Sequence, residues 1–436
     1  MTCRRSATLA AVLVVATLAA VAPADAAEKA IWGPAKLPSG ASAFPVYRDL
    51  GVDTIQFHIS FPSAAPTRPA RPGDPSDPAY RWPADLDAAI AEARASGIAV
   101  ALLVTRSPSW ANGGRSELHA PDPAAFGEFM AAASRRYPAV RRWMIWGEPN
   151  RADRFLPNRE DSAVGPRTYA PILEASYVAL KRVSRRNIVI GGMTWTGGEV
   201  KPGAFLDFMR LPSGRRPRLD WFGHNPFPFR FPNLRELPVA AGFLDISDLD
   251  TFSRKLRRAY GRRAKLWLSE FLVLSDGASD QFRLFVSRAD QARWLAASYR
   301  IADSLDSVAG LGWLSLLDEP ARKLSSNWGL LTSSGERKPA YHAYRAAPSE
   351  RLKPRVRLPA SVRRGRRLVL RVRPRTTGRV TVSIHRGRLR RVRRKRFGSL
   401  SSKRIAIPLP GLRRGRLRVV VRAPRASEVR RIIRVR

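Results

Sequence analysis

The sequence predicts an α/β fold: a (β/α)8 TIM barrel followed by a small all-β sandwich domain. Three observations lead there. Between Ala30 and about Ala346, short apolar runs alternate with helical patterns, and eight strand–helix units fit. The strands are apolar on both faces, as parallel strands covered by helices must be. Beyond Leu352 the period becomes two, with basic and apolar residues alternating as in half-buried antiparallel strands. An open doubly wound sheet is the other parallel architecture, but no GxGxxG follows an early strand and no phosphate loop occurs.

Each unit has its own signal. AIWGP (Ala30–Pro34) reads as the first strand and VDTIQFHISF (Val52–Phe61) as the second. The helix of Trp82–Gly97 starts at Pro83, stripes Leu86, Ala89, Ile90 and Ala93, and stops at glycine. Ile98–Thr105 is a continuous buried strand. Asp122 then caps a helix with Pro123 in its first turn. RRWMIW (Arg141–Trp146), NIVIGGMTW (Asn187–Trp195), LDWFGHN (Leu219–Asn225), AKLWLSEF (Ala264–Phe271) and VAGLGWLSLLD (Val308–Asp318) are the later strands. Helical patterns over Thr168–Ser184, Pro202–Leu211, Ser247–Gly261, Ser287–Leu305 and Lys338–Ala346 follow them in turn. In the tail, RVRL, LVLRVRPR, VTVSIHR, RIAIPL, RLRVVVR and RIIRVR read as strands, and RGRLRRVRRKR (Arg386–Arg396) as a hairpin or loop.

Residues 1–26 have the pattern of a signal peptide. Arg4 and Arg5 precede an uncharged, mostly apolar run from Ala7 to Val21, and an A-x-A site ends near Ala26 or Ala27. A secreted protein is therefore expected, extracellular and without a membrane span. The single cysteine, Cys3, lies in that leader, so the remaining chain has no thiol nucleophile, disulfide or thiolate metal site. The five histidines are scattered, and neither a metal nor a cofactor is expected. Charge is uneven: of the net +43, residues 351–436 carry 32 Lys and Arg against one acid, Glu428. The composition shift predicts a barrel over 27–347 and a basic sandwich over 351–436.

Two glutamates occupy telling positions. RRWMIWGEPN puts Glu148 after the fourth strand, between Gly147 and Pro149, and KLWLSEF puts Glu270 at the end of the seventh. Strand C-termini form the mouth of such a barrel, so both carboxylates can converge there. Two carboxylates across a cleft are the equipment for cleaving a glycosidic bond. One protonates the leaving oxygen, and the other attacks or stabilises the anomeric carbon. Either glutamate alone could instead cap a loop or pair with an arginine.

On these motifs, residues 30–346 resemble a clan-A glycoside hydrolase of the family 39 and family 5 kind. WGEPN is similar to the acid/base motif after strand four, and LWLSEF to the nucleophile segment of strand seven. GIAVALLVTRSPSWA, LDWFGHNPF and the closing WGLLTSSGERKPAYHAYR are similar to further segments of these barrels. The resemblance implies retention by double displacement: Glu148 as acid/base and Glu270 as nucleophile. There are departures. Gly147 stands where an asparagine usually contacts the sugar 2-OH, Gln56 replaces a strand-two arginine, and Phe227 stands where a tyrosine often supports the nucleophile.

Sugar rings pack on flat aromatic faces, so Trp110 and Trp313 are expected subsite platforms, and Trp146 is expected to pack beneath Glu148. Asn150 is positioned to stand in for the missing asparagine, and His224 and His58, near strand ends, are candidate sugar contacts. The basic tail suits an anionic cell-wall polymer or membrane surface and no specific nucleic acid. The expected activity is hydrolysis of O-glycosidic bonds in a poly- or oligosaccharide. A catalytically weak carbohydrate-binding protein on the same barrel, and a cell-wall-associated protein whose tail is the working part, are the other classes open on the sequence.

Overall fold

The structure is a computed structural model. It describes residues 27–436 except 235, 281, 321–325, 348–352, 388, 399, 411–412 and 425. The expected leader and most of the expected junction between the domains lie outside the described residues.

Eight parallel strands close a barrel: β1 (Glu28–Trp32), β2 (Thr54–Ser60), β3 (Ala99–Thr105), β4 (Arg142–Ile145), β5 (Ile188–Trp195), β6 (Trp221–Asn225), β7 (Lys265–Phe271) and β8 (Val308–Leu314). They pair in sequence order, and β1 meets β8 to close the ring. Helices α1 (Phe44–Leu50), α2 (Ala84–Ala95), α3 (Pro123–Arg136), α4 (Val164–Val183), α5 (Pro202–Phe208), α6 (Leu249–Tyr260), α7 (Arg288–Ser304) and α8 (Pro339–Ala346) surround it. The predicted start signals are used: Asp122 accepts from Ala125 N, and Ser287 from Asp290 N. Helix α4 starts earlier than its expected Thr168, because Pro166 falls in the first turn, where the lost N–H has no helical partner anyway. Helix α1, which the sequence reading did not mark, buries Phe44, Tyr47 and Leu50 and ends on left-handed Gly51.

Alternation sorts the strand residues into two cores. Outward residues such as Trp143, Ile145, Leu266 and Leu268 pack on the helices. Inward residues Ala30, Ala101, Leu103, Met144, Ile190, Met193, Trp267 and Ala309 fill the barrel. The large Trp267 fits because β8 offers Gly310 opposite: an added Cβ would lie 2.5 Å from the indole.

After α8, which ends at Ala346, eight strands from Arg355 onward form two sheets. These are β9 (Arg355–Arg357), β10 (Ser361–Val362), β11 (Leu368–Arg373), β12 (Gly378–Arg386), β13 (Leu389–Phe397), β14 (Lys403–Ile407), β15 (Gly415–Arg422) and β16 (Val429–Val435). One sheet runs β9-β11-β14, the other β10-β16-β15-β12-β13. Leu368, Leu370, Val372, Ile405 and Ile407 of the first face Val380, Val382, Ile384, Leu417, Val419 and Val421 of the second. The arginine-dense stretch after Arg386 is a regular strand, β13, paired antiparallel with β12 along its whole length. Asp306 ties this unit to the barrel: its carboxylate accepts from Thr377 Oγ1 at 2.8 Å and from Arg257 Nη2 at 2.9 Å.

Candidate active site

The barrel mouth holds the two glutamates in one cavity of about 290 Å3, lined by His58, Thr105, Trp146, Gly147, Arg154 and both carboxylates among others. Backbone irregularity aims each one. At β4 the turn is made by Trp146 and Glu148, both with left-handed φ of 65° and 50°. Such strain in non-glycine residues costs of order 1 kcal/mol each and persists only where the surroundings hold it. Here Trp146 is buried against Phe155, and Glu148 N donates to Met193 O at 3.0 Å. At β7 the pairing with β8 slips: Leu311 faces Leu268, but Trp313 faces Phe271, so three residues on β7 span two on β8. The bulge lets Leu268 and Phe271 both pack outward while Ser269 and Glu270 both serve the barrel mouth.

A polar network beneath the cavity joins the strands. Gln56 Nε2 and Trp32 Nε1 donate to Ser269 O at 2.8 and 2.9 Å, fixing the backbone just before Glu270. Trp267 Nε1 donates to Gln56 Oε1 at 3.1 Å and orients that amide. Ser269 Oγ donates to Asn225 Oδ1 at 3.0 Å, and Asn225 Nδ2 donates to Glu148 Oε1 at 3.1 Å. Arg151 Nη1 completes the set with 2.8 Å to Glu148 Oε2.

The two carboxylates are therefore treated differently. Burial raises Glu148 above the usual carboxylate range, opposed by Arg151, the Asn225 bond and Arg154. Glu270 is pushed up to about 8, by burial first and then by the Glu148 charge, with Arg154 and Arg151 opposing. Among the described residues no donor bonds Glu270. Burial and the mutual repulsion of two like charges both disfavour ionising the two carboxylates together. Of the two, Glu270 is the readier to hold a proton, because Arg151 and Asn225 stabilise charge on Glu148.

Of the other predicted site residues, His58 lines the cavity, with Nε2 2.5 Å from Thr105 Oγ1. The cavity walls, then the Arg106 charge, lower its pKa. Trp146 lines it too. Three expectations are corrected, and a fourth residue, Trp110, lies outside this cavity. Asn150 does not stand in for the missing asparagine. It is fully buried, its Nδ2 donating to the carbonyls of Trp195, Gly197 and Val200 and its Oδ1 accepting from Trp195 N, so the whole amide is spent on loop structure. His224 points away from the mouth, against Phe252, with Nδ1 2.9 Å from Thr194 Oγ1 and Nε2 2.7 Å from Leu244 O. Burial lowers its pKa to about 4, so it is a neutral structural ring. Trp313 is fully buried against Phe271 and donates to Trp328 O. Trp110 packs edge-on to Phe61, its N–H bonds Ala65 O, and it is not among the cavity residues.

Arg151, Arg154, Asn225 and Ser269 were missed. Strand alternation could have flagged Asn225: His224 and Asn225 are neighbours on β6, so only one can face the barrel. Phe227 is buried with Leu272, Leu274 and Trp328 and supplies no hydroxyl. Among the described residues, no group of three or more His, Cys, Asp or Glu is gathered to hold a metal.

Fold and site together define a (β/α)8 barrel with paired carboxylates at the ends of β4 and β7. No protein-family model and no curated protein matches the sequence. Solved structures do match by fold. A family 39 glycoside hydrolase from the gut symbiont Bacteroides cellulosilyticus WH2 superposes with a TM-score of 0.56 at 15% identity, covering 89% of this chain and 81% of that one. A monomeric beta-xylosidase from Caulobacter crescentus CB15 gives 0.55 at 14% identity, over 89% and 94% of the two chains. A GH39 enzyme from Xanthomonas axonopodis pv. citri gives 0.51 at 14% identity, over 88% and 92%. At these identities the likeness is one of fold.

Proposed function

We propose that this protein is a glycoside hydrolase that cleaves O-glycosidic bonds of a poly- or oligosaccharide with retention. One observation carries the reading: Glu148 and Glu270, at the ends of the fourth and seventh barrel strands, line one cavity. In the first step Glu148 gives its proton to the leaving oxygen while Glu270 attacks the anomeric carbon, forming a glycosyl ester and releasing the aglycone as an alcohol. In the second, Glu148 takes a proton from water, the water oxygen bonds the anomeric carbon, and the ester to Glu270 breaks. That sequence needs the proton on Glu148 and the charge on Glu270, the reverse of the resting preference. Substrate must therefore loosen the hold of Arg151 and Asn225 on Glu148, or add sugar hydroxyl donors to Glu270.

The test is turnover of aryl glycosides and oligosaccharides, with the anomer first formed read by proton NMR. Retention supports the mechanism, and inversion overturns it. A second reading, a carbohydrate-binding protein with little turnover, is favoured by one feature: among the described residues Glu270 lacks any donor to hold it ionised. Glycan binding without turnover by the wild type would select it.

The reading includes export, resting on the leader-like pattern before Ala27, and attachment to an anionic cell-wall polymer, resting on the cationic tail. Deleting residues 351–436 should release the protein from such a polymer at low salt. Equal retention would refute attachment by the tail.

A further inference from the structure

A cavity larger than the one at the carboxylates lies elsewhere in the fold. It is a cleft of about 860 Å3 between the barrel and the sandwich. Helices α6 and α7 form one wall, with Asp250, Arg254 and Arg300. The ends of β11 and β14 and the turns beside them form the other, with Arg373, Arg375 and Lys403. Among the described lining residues, Arg300, Arg373 and Lys403 stand beside Asp250, whose carboxylate is paired with Arg254 at 2.8 Å. Phe231, 48% exposed and edge-on to Trp294, lines the cleft as well.

Phe231 also connects this cleft to the catalytic pair. Two residues earlier, Phe229 is 41% exposed and packs on Trp195. The Arg151 guanidinium lies 5.0 Å from the Trp195 ring centre and binds Glu148. Contacts therefore run from Glu148 through Arg151 and Trp195 to Phe229, two residues from Phe231 of the cleft. Aromatic faces take the C–H faces of sugar rings, and guanidinium forks match carboxylates in two-point contacts. Arg154, in the carboxylate cavity itself, offers the same fork to a sugar bound there.

We propose that the cleft between barrel and sandwich is a distal binding site for a carboxylate-bearing polysaccharide, a uronic acid polymer, whose chain continues over Phe231 and Phe229 to Glu148 and Glu270. The inference rests on the hydrolase reading for its direction along the chain, but the binding itself does not. It places recognition of the anionic polymer in the cleft, rather than across the whole basic tail.

The experiment is affinity electrophoresis of the full chain in gels containing polygalacturonate, its fully methyl-esterified form or polyphosphate, at 0.15 M salt. The double variant Arg300→Glu/Arg373→Glu is compared with Arg390→Glu/Arg394→Glu, which makes the same charge change on β13, and folding of both is confirmed by circular dichroism. The cleft variant is expected to bind polygalacturonate about ten-fold more weakly than wild type, and the β13 variant within about two-fold of it, since Arg390 and Arg394 do not line the cleft and exposed charges are screened by salt. Equal losses in the two variants would overturn the proposal. So would equal retardation by the methyl ester, or binding to polyphosphate as tight as to polygalacturonate. Glu148→Gln/Glu270→Gln should be retarded like wild type. If wild type cleaves no glycan but keeps this pattern, the hydrolase reading fails and the cleft stands. If it cleaves neutral glycans and ignores polygalacturonate, the cleft fails and the hydrolase reading stands.

Discussion

Asn225 donates to Glu148 Oε1 at 3.1 Å while its own carbonyl accepts from Ser269 Oγ at 3.0 Å, so the sixth strand couples the two carboxylate-bearing strands. The fourth, sixth and seventh strands are thereby joined at the barrel mouth, and a change on any of them reaches the carboxylate pair.

Removing that link should be visible in the pH profile. The Asn225 bond lowers the pKa of Glu148, so Asn225→Ala raises it. The basic limb of the kcat/KM profile should move to higher pH, and turnover should fall about 10²-fold, as for loss of one buried donor at a reacting group. Unchanged limbs in a folded variant would show that Asn225 does not act on the proton.

Chemical rescue separates the roles of the two glutamates. Glu148→Ala and Glu270→Ala should each lose about 10³-fold or more in turnover. Azide added to Glu148→Ala should give a glycosyl azide of retained configuration, and added to Glu270→Ala one of inverted configuration. The opposite pattern would exchange the roles.

Glu270 also links stability to pH. Its carboxyl has an ordinary value near 4.5 and is pushed up to about 8 in the fold. The folded state therefore holds a proton that the unfolded chain has lost. The stabilisation is full below 4.5 and is lost as pH rises through about 8. Glu270→Gln, which cannot ionise, should gain in Tm relative to wild type between pH 5 and 8. A Tm difference independent of pH would refute this.

Gly147 has a φ that other residues adopt, and an added Cβ would meet only Thr105 Cγ2 at 3.5 Å and Leu103 Cδ2 at 3.6 Å. Both residues line the carboxylate cavity, so a side chain at 147 would project into it. Gly147→Asn should fold with an unchanged Tm and raise kcat/KM several-fold by bonding a sugar hydroxyl. A fall in kcat/KM with an unchanged Tm would mean that the substrate needs the space.

Lys338 and Asp318 form a buried pair at 2.9 Å behind the barrel rim, where Asp318 also accepts from Gly329 N. Lys338→Met leaves that carboxylate unpaired and should cost about 3–5 kcal/mol at pH 7 by urea melts. The deficit should shrink near pH 4, because losing the lysine raises the Asp318 pKa further and the carboxyl becomes neutral.

The barrel was legible because burial writes itself into local pattern. Strands covered on both faces need unbroken apolar runs, as in Ala99–Thr105, and helices over them need stripes and caps, as at Asp122 and Ser287. Strand-end position likewise singled out Glu148 and Glu270 before any coordinates. What the sequence could not decide was which neighbours share the mouth. Trp313 and His224 carry the right chemistry at the right strand ends, yet each points outward, because a single-residue change of facing moves a side chain from cavity to core. The bulge on β7, the left-handed turn at Trp146 and Glu148, and the Asn225 bridge all depend on contacts between strands far apart in the chain. Charge on the tail was plain in the composition, but its concentration against α6 and α7 arises only when Asp306 joins the two units. Local pattern records what each residue must avoid, which is water or its absence. Only the closed barrel decides which residues face each other across the mouth.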